Sequence, residues 1–106
     1  MKLRLAGATV RLRLDAGDVE DLRSNGRVEG VLAVEASPHG AWRYALVASA
    51  ATEILTVALD GSGLEILVPE QEAMAWAASD SVGIYGEANG LAVKLEKDLG
   101  CDHEIG

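Results

Sequence analysis

The chain has 106 residues, 25% of them charged and 49% hydrophobic, with a formal net charge of −8. That length makes one domain with a core large enough to fold without disulfides or a structural metal, and the acidic balance argues against a general affinity for nucleic acid. No apolar run approaches the roughly 20 residues of a membrane span, charges interrupt the N-terminal MKLRLAGATVRLRL so that it does not read as a signal peptide, and the lone Cys101 suits a reducing cytoplasm.

Residues 2–14 read as a β-hairpin. Leu3, Leu5, Val10, Leu12 and Leu14 alternate with Lys2, Arg4, Arg11 and Arg13, and a period of two turns the aliphatic set inward and the cations outward. Asp15 is placed as the N-cap of a short helix, with Asp18 as the reciprocal partner of a capping box. Val19 and Leu22 mark the buried side of that helix, and Asn25-Gly26 ends it, because either residue tolerates the left-handed conformation. Val28 to Glu35 then reads as a strand with Val28, Leu32 and Val34 inward, and Ser37-Pro38-His39-Gly40 as a turn. Ala41 to Ser49 is the partner strand, with Trp42, Tyr44 and Leu46 on one face, where core packing is preferred over the lining of a pocket.

From Glu53 to Ala78 the chain reads as strand, tight turn, strand and helix. Leu55, Val57 and Leu59 share one face, as do Leu64, Ile66 and Val68, and Asp60-Gly61-Ser62-Gly63 is expected to close the hairpin through positive φ angles. Pro69 is expected as the first helical residue, followed by Glu70 and Glu72 at the positive end of the helix dipole and by an apolar stripe of Ala73, Trp76 and Ala77. Ser81 to Gly86 and Leu91 to Lys97 form the last hairpin around an Asn89-Gly90 type I′ turn, with Val82 and Ile84 facing Leu91, Val93 and Leu95. Residues 98–106 show no periodicity and read as a loose tail.

A constant offset of 54 residues relates the two halves. Leu3 maps to Val57, Leu5 to Leu59, Leu12 to Ile66, Leu14 to Val68, Leu22 to Trp76 and Val28 to Val82. A fixed period through two strands, a helix and a third strand indicates an internal duplication, with pseudo-repeats at 2–49 and 53–97 of a single domain 1–106. The expected fold is mostly β with two short helices, a single-chain barrel or packed sheets from two tandem β-β-α-β-β halves. The alternative is an open α+β sheet with both helices on one face.

The succession of elements in VRLRLDAGDVEDLRSNGRVE and LEILVPEQEAMAWAASDSVGI resembles the AbrB/MazE-like swapped-hairpin barrels of bacterial transcription regulators and antitoxins, in which two chains interleave their hairpins. The resemblance implies that both copies stand here on one chain, and that basic residues around the first hairpin contact DNA. MKLRLAGATVRLRL, DVEDLRSNGRVE, LEILVPEQEAMAWAASDSVGIYGE and VKLEKDLGC are similar to a family of small uncharacterised bacterial proteins, which fits a cytosolic protein and implies nothing about mechanism.

Three sets of residues are candidates for function. Arg4, Arg11 and Arg13 form a basic face that can meet phosphates, but the offset gives them Ala58, Glu65 and Leu67 as counterparts, so half of a twofold DNA reader is missing and pairing with the excess carboxylates is the preferred reading. Asp98, Cys101 and His103 have metal-ligand chemistry, yet no second Cys or His pair stands at a finger-like spacing, and a polar tail is preferred. Cys101 and His103 match no Cys–His catalytic pattern, and turn chemistry accounts for the serines. Val31, Ala33, Ala45, Val47, Ile54 and Leu67, with Ala58 and Ala92, are apolar or small at outward positions where a wet sheet carries polar residues. With Glu65 and Lys94 at its rim, such a patch predicts an interface with another protein, a twofold homodimer being the simplest. The function expected is a cytoplasmic binding or protein-interaction module, regulatory in one form of the reading, with no catalytic activity and no cofactor. The alternatives are an AbrB-like DNA-binding regulator and a small metal-dependent enzyme using the tail.

Overall fold

The computed structural model describes residues 1–33 and 41–98. The expected inward Val34, the turn at 37–40 and the tail beyond Asp98 lie outside the described residues. The chain runs β1 (Lys2–Ala6), β2 (Thr9–Leu14), α1 (Ala16–Asn25), β3 (Arg27–Ala33), β4 (Ala41–Ser49), β5 (Thr56–Asp60), β6 (Gly63–Pro69), α2 (Glu70–Ala78), β7 (Gly83–Ala88) and β8 (Leu91–Lys97).

Local chemistry explains most of the element ends. The Asp18 N–H donates to the Asp15 carboxylate at 2.8 Å and the Asp15 N–H donates to the Asp18 carboxylate at 3.0 Å, which completes the capping box of α1. Gly26 ends α1 at φ 73° and its N–H donates to the Leu22 carbonyl, a conformation that a Cβ would oppose. Asn89 and Gly90, at φ 54° and 79°, both take the left-handed region that a type I′ turn requires between β7 and β8. Pro69 is the exception. Its ψ of 132° makes it the last residue of β6 and the N-cap of α2, so the helix begins one residue later than expected, at Glu70.

The strands form two four-stranded sheets, β1-β2-β8-β7 and β3-β4-β6-β5. Each half of the chain supplies β-β-α-β-β, and the hairpins are exchanged. The first sheet joins the first hairpin of the N-terminal half to the second hairpin of the C-terminal half, and the second sheet does the reverse. Within a hairpin the pairing is antiparallel; β2–β8 and β4–β6, which bind one half to the other, are parallel. The sheets meet where β5 touches β7, and there the Asn89 side chain donates to the Val57 carbonyl at 2.6 Å. No ladder among the described residues closes the sheets into a barrel, so the packed-sheet form is the one adopted, and neither the barrel nor a single open sheet is found.

One core serves both sheets and both helices. Val10, Leu12 and Leu14 of β2 and Val93 and Leu95 of β8 meet Leu46 of β4 and Leu64, Ile66 and Val68 of β6, with Leu22 of α1 and Ala73 and Trp76 of α2 packed among them. These are the two central strands of each sheet, where alternation and depth coincide. On the edge strands they part: Leu5 of β1 and Leu59 of β5 are exposed, because alternation reports which face a residue takes and not how far that face is covered.

The offset of 54 holds through α2 and then fails. Thr9 pairs with Ala92 and its counterpart Gly63 pairs with Arg43, so Leu95 matches Leu46. The antiparallel partners of those leucines are Ile84 and Val28, both buried. The match expected for Val28 was Val82, which precedes β7 and is 60% exposed. Gly26 alone joins α1 to β3, whereas residues 79–82 join α2 to β7, and the longer connection moves the register.

The turn at Asp60 also differs from expectation. Gly63 is not in the left-handed region. The Asp60 carboxylate instead accepts the N–H groups of Ser62 at 2.7 Å and Gly63 at 3.2 Å, together with the Ser62 hydroxyl at 2.7 Å. Gly63 serves a different purpose, since a Cβ there would lie 2.1 Å from the Arg43 carbonyl oxygen on the neighbouring β4. Among the described residues no helix is long and apolar enough to cross a membrane.

Candidate functional site

Because β2 turns Val10, Leu12 and Leu14 into the core, it turns Thr9, Arg11 and Arg13 out. Strand β1 pairs with it so that Arg4 stands opposite Arg11 and Lys2 opposite Arg13. On the other side β8 places Lys94 level with Arg11 and Glu96 level with Arg13, and β7 sets Tyr85 opposite Lys94. The outer face of the first sheet therefore holds five of the nine Lys and Arg residues of an acidic chain.

Two rows behave differently. In the lower row Arg13 Nη2 donates to Asp98 at 3.1 Å, and Lys2 Nζ stands 3.7 Å from the same carboxylate. Glu96 ties that row to the next, accepting from Arg11 Nε at 2.6 Å and from the Tyr85 hydroxyl at 2.8 Å. In the upper row Arg4, Arg11 and Lys94 follow one another across three strands. Arg4 and Lys94 have no ion-pair or hydrogen-bond partner among the described residues. Like charges directly opposite on a sheet oppose its pairing by roughly 0.2–1 kcal/mol, and within the row only Arg11 is offset, by Glu96. Beside it the short side chains of Ala6 and Thr9 leave a recess of about 230 Å³ lined by Arg4, Ala6, Thr9, Arg11 and Lys94.

The Tyr85 hydroxyl, and after it Arg11, holds the Glu96 carboxyl below the usual carboxylate range; the same hydrogen bond raises the Tyr85 phenol. A depressed folded-state pKa contributes stability that is present above the unfolded-state value and is lost as pH falls through the folded one. Glu96 is thus expected to stay ionised in acid where ordinary glutamates protonate. In an NMR pH titration its side-chain carboxyl midpoint should move up towards the ordinary value in Tyr85→Phe; an unmoved midpoint would show that the hydroxyl is not the cause.

The outer face of the second sheet gathers part of the apolar set. Val47 and Leu67 are in register and half-buried, Val31 is exposed on β3, and Ala45 is only 4% exposed. The covering of Ala45 is electrostatic in origin. Arg27 of β3 donates to Glu29 at 2.6 Å and to Glu65 of β6 at 3.0 Å, and to reach β6 it must cross over β4 between them, where Ala45 lies level with both carboxylates. Ile54 is 73% exposed but precedes β5, apart from the strand positions, and the side chain of Ala33 lies outside the described residues. Glu65 and Lys94, expected at one rim, stand on different sheets.

Asp98 is engaged by Arg13 and Lys2, while Cys101 and His103 lie outside the described residues. Among the described residues no group of three His, Cys, Asp or Glu side chains is placed to hold a metal ion. Arg4, Arg11 and Arg13 were legible as one face. Lys94, Tyr85 and Glu96 were missed as its members, although alternation in LAVKLEK already turned Lys94 and Glu96 outward; what was missing was the knowledge that β8 lies beside β2.

The sequence model of DUF7009, a family of unknown function, matches residues 1–105. No curated protein and no solved structure matches the chain.

Proposed function

We propose that this chain, which belongs to the DUF7009 family of unknown function, is a non-catalytic binding module that meets an acidic protein partner through the outer face of its first sheet. The observation that carries the reading is the row Arg4–Arg11–Lys94, in register across three strands with two of its three cations uncompensated among the described residues. A chain of net charge −8 that concentrates its cations on one face has a steep local field there, which steers anionic groups to it. The shape of the charge favours a compact acidic epitope over nucleic acid. Three adjacent strands span about 10 Å at a spacing near 4.8 Å, whereas duplex DNA presents one charge per about 1.7 Å along its axis, and a longer phosphate track would run into Glu87, Glu96 and Asp98 at the margin of the face. A cytoplasmic setting goes with this reading.

The test is salt-dependent binding of the full chain to an immobilised polyglutamate peptide and to a DNA duplex, measured side by side. Retention on the peptide that weakens with salt, and is lost when Arg4 and Lys94 are both replaced by Gln, is the expected result. Tighter binding to the duplex, or retention that ignores both substitutions, would overturn it.

A further inference from the structure

We infer that the recess at Arg4, Thr9, Arg11 and Lys94 is a subsite for a single phosphate monoester dianion. This rests on the reading above that the face is a binding face, and names the group it recognises. Four observations point to phosphate over carboxylate. No carboxylate is among the five residues lining the recess. Three cations converge on it from three neighbouring strands, one each from β1, β2 and β8. Arg11 already shares the Glu96 carboxylate, so Arg4 and Lys94 carry the two uncompensated charges; a carboxylate would match one of them, whereas a phosphate monoester carries about −1.5 to −2 and three acceptor oxygens, enough to balance both and to engage donors on all three strands. The volume of about 230 Å³ lies below the roughly 300–1,000 Å³ of pockets that enclose whole small molecules, so the recess fits one group presented at the surface. Finally, Arg11 is already fixed. Its Nε is held by Glu96, itself held by Tyr85. Glu96 and Tyr85 are therefore positioning residues for Arg11. Thr9, on the next row, adds a hydroxyl donor at the edge of the recess.

The experiment is an amide-shift NMR titration of the full chain at constant ionic strength with three probes: inorganic phosphate, a short phosphoserine peptide, and the same peptide with Glu in place of phosphoserine. Phosphate is expected to saturate near a Kd of about 1 mM, with shifts centred on Arg4, Thr9, Arg11 and Lys94. The phosphoserine peptide should bind at least about tenfold more tightly than its Glu counterpart, a factor that corresponds to one charge-assisted contact. Arg4→Gln and Lys94→Gln should each weaken phosphate by a similar factor. Both residues are exposed and unpartnered among the described residues, so these variants keep the fold, which an unchanged or raised melting midpoint will show. Arg43→Gln on the opposite sheet should leave binding unchanged. Failure of phosphate to saturate, or binding indifferent to both glutamine variants, overturns the inference. Equal affinity for the Glu peptide through the same residues also overturns it while leaving the acidic-partner reading standing, whereas binding of neither peptide removes both.

Discussion

Replacing Trp76 with alanine is expected to lower stability by about 3–5 kcal/mol, the range for emptying a large aromatic site in a core. Trp76 is 4% exposed and belongs to the cluster shared by both sheets. It also organises the end of its helix. The Lys97 ammonium lies 5.2 Å from the centre of the indole and donates to the Trp76 and Ser79 carbonyls at 2.7 and 2.6 Å, so the last turn of α2 is capped from β8. Burial holds the Lys97 amine below its ordinary pKa, and the ring and two carbonyls are what keep a charge in that place. Equilibrium urea unfolding measures the effect. Trp76→Phe serves as the comparison and should cost less than the alanine variant, because an aromatic ring stays in the site and the indole Nε1 makes no hydrogen bond among the described residues that phenylalanine would forfeit. An alanine variant within about 0.5 kcal/mol of the parent, the size of an ordinary surface change, would place the ring outside the core.

Gly63→Ala is expected to be nearly as damaging, at about 3 kcal/mol. The added Cβ would lie 2.1 Å from the Arg43 carbonyl oxygen and 3.1 Å from its carbon. These are backbone atoms of a central strand, not the end of a side chain that can swing away. Relief requires β6 to part from β4, and that parallel ladder is one of the two that bind the halves together. Gly90→Ala is the control: Gly90 has φ +79° and nothing within 4 Å of the position a Cβ would take, so only the strain of the left-handed region, about 1 kcal/mol, should appear. Thermal unfolding of the pair separates close approach from conformational strain. If the two variants melt together, the contact with Arg43 is not what glycine provides at position 63.

The candidate site was half legible. Arg4, Arg11 and Arg13 could be assigned one face because period-two alternation is local and the hairpin that pairs them is closed by a two-residue turn at Gly7 and Ala8. Lys94 is separated from Arg11 by most of the chain, and nothing in either segment names the other as neighbour. The same holds for the second sheet. Val31, Ala45 and Val47 were legible as outward, but the bridge from Arg27 to Glu65 joins residues on two strands that are not adjacent even in the sheet.

The sequence by itself determined the eight strands and the two helices, with the ends of α1 and β4, whereas the starts of β5, α2 and β7 lie one to three residues later than expected. The elements follow from alternation of apolar residues, from capping groups such as Asp15 and Asp18, and from glycines that take the left-handed region, all of which act within a few residues of chain. It also revealed that two halves share one plan. Only the tertiary structure decided that the hairpins are exchanged, that β2 lies beside β8 and β4 beside β6, and that the sheets pack without closing. The reason is physical. A strand with one apolar face is satisfied by any partner of matching pattern, and β2, β6 and β8, three of the four central strands, carry the same inward alternation of Leu, Val and Ile. Which pairing wins is settled by the summed burial of one shared core and by backbone approaches such as Gly63 to Arg43, quantities that exist only once the whole chain is folded.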